Sequence, residues 1–202
     1  VLKDNEGEEI LLLAQAEAVP DWTPPQRVTL KSADGAIDLY GVMWVPTNFD
    51  PKKRYPIISN VYPGPQLTVV PYGRYAPSHS NAALAELGFV VVALAHRGGH
   101  YDRGRHFQHY VLRHGDLRDF GVADNKAGIE QLAARYDFID AERVGVYGHS
   151  GGGLMSLATI LAFPEFYNVA VSGAGNHDNN IYEMNSGEFL FGHSVTGGAG
   201  TP

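Results

Sequence analysis

The chain has 202 residues, 44% of them hydrophobic and 18% charged, and its 15 Lys and Arg against 22 Asp and Glu leave a formal net charge of −7. These values fit one globular domain with a buried core and argue against nucleic acid or an anionic membrane as partner, because both reward clustered positive charge and no run of Lys or Arg occurs. Zero cysteines exclude disulfides, thiolate metal sites and a cysteine nucleophile, and no stretch approaches the ~20 apolar residues of a membrane span.

The apolar run Ile10 to Leu13 follows Asp4, Glu6, Glu8 and Glu9 rather than a basic segment, so it does not read as a signal peptide. The first 18 residues read as a short extended or helical piece, and Val19 to Pro25 (V-P-D-W-T-P-P) has the proline density of a linker. Residues 1–25 are therefore taken as the end of an upstream domain plus linker, and 26–202 as the start of the next domain. Arg27 to Lys31 and Ile37 to Val45 alternate apolar and polar residues around Asp34-Gly35, which predicts an antiparallel hairpin.

From Pro56 onward the pattern changes to short, almost continuously apolar runs: Ile57 to Tyr62, Phe89 to Ala95, Val144 to Tyr147 and Val169 to Ser172. Strands buried on both faces read this way. Helices are predicted over Asn81 to Leu87, Asp116 to Tyr136 and Gly153 to Phe163. In the last, Leu154, Leu157, Ala158, Leu161 and Ala162 form an apolar stripe, Met155 and Ile160 fill much of the other side, and a helix so apolar is expected to lie against the middle of a sheet. Strands alternating with helices give an α/β fold, a mostly parallel sheet with an antiparallel N-terminal hairpin.

Gly148-His149-Ser150-Gly151-Gly152 matches G-x-S-x-G, a weak pattern by itself in a chain with 24 glycines. Its context makes it specific: a strand runs into it and an apolar helix runs out, as needed to hold a serine on a sharp strand-to-helix turn with Oγ above the sheet. Ser150 is thus the candidate nucleophile. A serine hydroxyl needs a base and a group that orients the base. His149 is adjacent on a turn from which neighbouring side chains diverge, so it is read as a packing residue. The Gly151 N–H, at the helix N-terminus, is one oxyanion donor, and the second is expected from the loop after Ile57 to Tyr62.

That loop reads V-Y-P-G-P, Val61 to Pro65. Together with A-L-A-E-L-G-F-V-V-V, R-G-G, F-I-D-x-x-R-V-G-V-Y-G-H-S-G-G-G and S-G-x-G-N-H-D-N-N-x-Y, it resembles the dipeptidyl-peptidase-IV-like branch of the prolyl oligopeptidase serine peptidases over about residues 27 to 190. The resemblance implies an α/β-hydrolase fold, an upstream β-propeller that admits small peptides, and an oxyanion-hole tyrosine matched here by Tyr62. Its phenol is a suitable donor. It also implies a substrate pocket matched by Asn176 and Asp178. Proline-specific members carry a tyrosine where this chain has Gly151, and rings where it has Asn176 to Asn180, so a firm grip on proline is not expected. An esterase or acylaminoacyl peptidase shares the same elbow; a non-catalytic binding module is the alternative of another class. Substrates are expected to be small peptides, with no cofactor; a homodimer is compatible, and a periplasmic or secreted location is preferred to a cytoplasmic one.

His96, His100, His106, His109 and His114 crowd one segment, but Arg97, Arg103, Arg105, Arg113 and Arg118 are interleaved with them and repel a cation. The segment is therefore read as a solvated loop without a metal, and Arg97 with Asp124 as an internal ion pair. In this fold the triad acid and histidine follow the nucleophile on loops after two further strands. Only Val169 to Ser172 is legible after Ser150, and Asp178 and His193 come too soon. Both residues are thus expected beyond position 202, which makes the chain a truncated catalytic domain and the isolated fragment inactive.

Overall fold

The computed structural model describes residues 2–12, 23–63, 69–70, 80–99, 103–108 and 117–178. Leu2–Lys3 (β1) and Glu9–Leu11 (β2) pair antiparallel. Their turn is closed by the Asp4 carboxylate, which accepts the Glu6 and Glu8 amides at 2.9 and 2.8 Å. Of the expected linker, only residues 23–25 fall within the described chain.

Gln26–Lys31 (β3) and Asp38–Trp44 (β4) form the expected hairpin. Only Gly35, at φ 74°, takes a positive φ in its turn. Asp34 instead uses its carboxylate, accepting Ser32 Oγ at 2.6 Å and the Ala36 amide at 3.1 Å, as turn aspartates do. Tyr55–Asn60 (β5), Ser80–Glu86 (α1), Val90–Ala95 (β6), Arg105–Gln108 (α2), Leu117–Arg135 (α3), Ile139–His149 (β7), Gly151–Ala162 (α4) and Val169–Gly173 (β8) follow. The short helix α2 lies where the sequence suggested only loop.

Among the described residues six strands make one sheet in the order β3-β4-β6-β5-β7-β8. β4 runs antiparallel to β6, while β6, β5, β7 and β8 are parallel. Strand β7 starts earlier than the apolar run Val144 to Tyr147 indicates. Its register against β5 jumps from Pro56↔Asp140 to Ile57↔Val144, and an Asp140–Arg143 ion pair at 2.7 Å closes the extra residues.

The core has two layers because β6 is buried on both faces. Val90, Val92 and Leu94 pack with Ile129, Leu132 and Met155 from α3 and α4. Val91, Ala93 and Ala95 pack with Ala82 and Ala85 of α1 on the other side. Period-two alternation sends neighbours to opposite faces, and helices on both sides dictate the unbroken apolar run.

In β8, Val169 and Val171 are 58% and 60% exposed, and among the described residues β8 pairs with β7 alone. They border an open apolar groove of about 620 Å³, lined also by Ile58, Leu84 and Leu87. The apolar stripe of α4 is not wholly on its inner face. Leu161 is 71% exposed, whereas Gly152, Gly153, Met155, Ser156 and Thr159 are buried. Glycines take the inner face of its first turn because the helix backbone approaches Val61 O and Gly173 O closely there.

Candidate active site

Strand β7 delivers Ser150 to the end of the sheet, and α4 begins at the next residue. Ser150 has φ 58° and ψ −123°, a combination that costs a non-glycine residue about 1–3 kcal/mol and persists only where the surroundings over-determine it. They do so here. The Ser150 amide donates to Gly173 O at 2.8 Å, and the Ser150 carbonyl accepts the amides of Gly153 and Leu154 at 2.8 and 3.2 Å. A serine preceding a helix ordinarily folds its hydroxyl back onto the first-turn amides; Ser150 makes no such capping bond.

Two glycines allow the turn. A Cβ on Gly148 would stand 2.5 Å from the Gly152 carbonyl carbon and 2.6 Å from Val61 O, and one on Gly152 would drive into that same Val61 oxygen. The loop leaving β5 is thus wedged against both sides of the elbow. The next residue, Tyr62, lays its ring over the start of α4: its Cζ, which bears the hydroxyl, lies 3.5 Å from where a Gly151 Cβ would be. Gly151 is the first helical residue, whose amide has no carbonyl one turn earlier to bond, and the helix dipole places partial positive charge there. Ser150, Gly151 and Tyr62, three candidates more than eighty positions apart at their extremes, therefore meet at one place.

Asn176 and Asp178 follow β8. Ala174, at φ 48°, turns the chain there, and Gly175 Cα lies 3.0 Å from the position a Gly153 Cβ would take. The segment thus passes beside α4, with Asn176 half-buried and Asp178 exposed. Asn179, Asn180 and His193 lie outside the described residues. His149 is exposed, with its ring against Gly173, and His177 Nε2 meets Ser172 Oγ at 3.0 Å.

The histidine-rich segment divides. His100, His109, His114 and Arg113 lie outside the described residues, and among the described residues no group of three His, Asp or Glu side chains is arranged to hold a metal. His96 is not in a solvated loop, as its neighbours suggested; it is 1% exposed. Its Nε2 lies 2.8 Å from the Tyr62 carbonyl oxygen and its Nδ1 2.8 Å from that of Arg97. The available signal was its place directly after β6, at the carboxyl ends of the parallel strands where α/β sheets build their sites.

Arg97 and Asp124 form the expected ion pair. The guanidinium donates to Asp124 through Nε at 3.1 Å and Nη2 at 2.9 Å, and reaches Asp34 at 2.6 Å through Nη1. Asp124 also accepts the Ala33 amide at 2.9 Å. Burial by itself would lower the Arg97 pKa, but Asp124 and Asp34 hold it above its ordinary value. The network ties the β3–β4 turn and α3 to the residue after His96.

The profile described as "Prolyl oligopeptidase family" matches residues 76–202. The chain belongs to that family. It is 34% identical over 184 residues to dipeptidyl peptidase 8 of Homo sapiens, an alignment covering 90% of this chain and 20% of that protein. It is 28% identical over 180 residues to the acylamino-acid-releasing enzyme of Mus musculus, covering 85% of this chain and 23% of the relative. A crystal structure from Bacteroides ovatus, provisionally named a dipeptidyl aminopeptidase IV, superposes with a TM-score of 0.76 at 33% identity, over 84% of this chain and 24% of that one. The fold is accordingly the α/β-hydrolase fold, and this family member spans about a fifth of the length of the human relative it matches.

Proposed function

We propose that this chain carries the nucleophile and oxyanion hole of a serine peptidase acting on small peptides. The observation that carries the reading is the strained Ser150 turn with the Tyr62 ring over Gly151. Ser150 Oγ adds to the scissile carbonyl carbon while its proton passes to a histidine base, and the Tyr62 hydroxyl and Gly151 amide donate to the oxyanion. The carbonyl then re-forms, the C–N bond breaks and the departing amine takes that proton. Water releases the acyl group by the same steps in reverse. The histidine and its acid are assigned to chain outside the described residues, since this fold carries them after strands that follow β8. Dipeptides released from a free amino end are the favoured product, supported by the likeness to dipeptidyl peptidase 8. Removal of an acylated terminal residue is the second reading, supported by the mouse relative.

A fluorophosphonate probe on the whole protein tests the reading. Labelling that disappears in Ser150→Ala is expected; no Ser150-dependent labelling would leave a binding module as the answer. Tyr62→Phe should lower kcat by about 10²–10³, the usual cost of one oxyanion donor. Turnover of dipeptidyl nitroanilides against acyl-amino-acid substrates then separates the two peptidase readings.

A further inference from the structure

The carbonyl of Tyr62 lies past the end of the sheet. The ladder of β5 stops at Asn60, and the last main-chain bond to the neighbouring strand is Val61 N–H to Tyr147 O, at 2.9 Å. Beyond that point His96 Nε2, 2.8 Å away, meets the Tyr62 carbonyl. A carbonyl oxygen only accepts, and Arg97 O stands equally close to Nδ1, at 2.8 Å, so a neutral ring donates to one of the two carbonyls and a protonated ring to both.

The imidazole has been given a dedicated place. A Cβ on Gly99 would stand 3.0 Å from its Nε2, and one on Gly121 would stand 3.2 Å from its Nδ1 and 2.7 Å from the Met155 methyl. Gly99 also closes a turn onto His96, its amide donating to His96 O at 2.9 Å. One side of the ring is thus gripped by the turn after β6, another by α3, and Met155 links the same spot to α4, the helix that starts at Ser150. A buried imidazole must satisfy its ring nitrogens, and the partners here are the carbonyls of Arg97 and of Tyr62, the residue that carries the phenol.

The geometry points to His96 as a positioning residue of the oxyanion hole: its Nε2–H fixes the Tyr62 main chain, and through it the position of the phenol hydroxyl over Gly151. This rests on the serine-peptidase reading. The imidazole touches no reacting atom, so its effect must pass through Tyr62.

The test uses the whole protein and a dipeptidyl nitroanilide. His96→Leu should lower kcat about 10- to 100-fold, the scale of an ångström-sized misplacement in an active site, with KM within about twofold because ground-state binding is untouched. Combined with Tyr62→Phe it should add nothing to the loss from Tyr62→Phe alone, since both changes remove one function. His96→Gln, whose amide nitrogen reaches the Nε2 position, should stay within about threefold of wild type, whereas His96→Asn, which reaches only the Nδ1 position, should fall like His96→Leu. Wild-type kcat in His96→Leu, or losses that multiply in the double variant, would overturn the proposal and leave the peptidase reading intact. Where His96→Leu fails to fold, the Gln and Asn pair decides, and equal kcat in the two overturns the proposal. Absence of Ser150-dependent fluorophosphonate labelling in the unsubstituted protein removes the peptidase reading and this inference with it.

Discussion

Replacing Gly148 by alanine tests whether the elbow is held by main-chain contact. The added Cβ would stand 2.5 Å from the Gly152 carbonyl carbon and 2.6 Å from Val61 O, where ordinary contact needs about 3.3 Å. The shortfall of about 0.7–0.8 Å falls on backbone atoms, which cannot rotate away as a side chain would. Overpacking of this kind costs about 1–3 kcal/mol, and rigid neighbours put Gly148→Ala at the upper end. About 3 kcal/mol corresponds to a fall of roughly 6–12 °C in Tm for a domain of this size. Relief of the clash must also push apart Val61 and the start of α4, separating Tyr62 from Ser150, so fluorophosphonate labelling should slow by at least about tenfold. Gly151→Ala is the control for stability: its Cβ would lie 3.4 Å from Pro63 and 3.5 Å from Tyr62, ordinary contacts, and its Tm should change little. A Gly148→Ala protein with wild-type Tm and labelling rate, or a Gly151→Ala protein destabilised as much, would refute the reasoning.

The Arg97 network should respond unequally to loss of its two acids. Asp124 is fully buried, so Asp124→Ala leaves a buried guanidinium short of its partner and should cost about 3–5 kcal/mol in urea unfolding; Asp34 is half exposed, and Asp34→Ala should cost about 1 kcal/mol or less. The Ser32 hydroxyl, then the Ala36 amide, hold the Asp34 carboxyl down at about 2 against an ordinary 3.8. Because the folded value is depressed, that stabilisation is present above about pH 4 and is lost as pH falls toward 2. A melting series over that range should therefore be shallower in Asp34→Asn than in wild type. Tyr167 is 2% exposed, its hydroxyl meets no hydrogen-bond partner among the described residues, and burial pushes its pKa up. Tyr167→Phe should be neutral or stabilising by about 1 kcal/mol, and a clear loss in calorimetry would show a partner for that hydroxyl.

Local rules made much of the active-site framework legible in advance. Asp34-Gly35 between alternating runs marked the β3–β4 hairpin, unbroken apolar runs marked β5 and β6, and the glycines around Ser150 marked the elbow, because each follows from what two to ten consecutive residues can do sterically. Tyr62 emerged from a different source, the resemblance of Val61 to Pro65 to a known motif, since no periodicity distinguishes a catalytic tyrosine from one that ends a strand.

Other features depended on what stands opposite. The sequence shows that α4 is apolar nearly all round, which leaves its inner face undetermined; the close approach of Gly152 to Val61 turns Ser156 and Thr159 inward and Leu161 outward. Val169 and Val171 look like residues of a strand covered on both faces, and their neighbours are set by long-range pairing rather than by the strand's own composition: among the described residues β8 pairs with β7 alone. His96 stands among four other nearby histidines and several arginines in sequence, a setting that suggests solvent. Gly99, Gly121 and Met155 close around it instead, and the partner that gives it meaning, the Tyr62 carbonyl, lies 34 residues away in the chain. The sequence by itself marked Ser150 as the candidate nucleophile and determined the local turn that presents it. Only the tertiary structure decided which helix face is inner, which strand ends the described sheet, and which buried ring meets the Tyr62 carbonyl, because those depend on contacts between segments that no local pattern encodes.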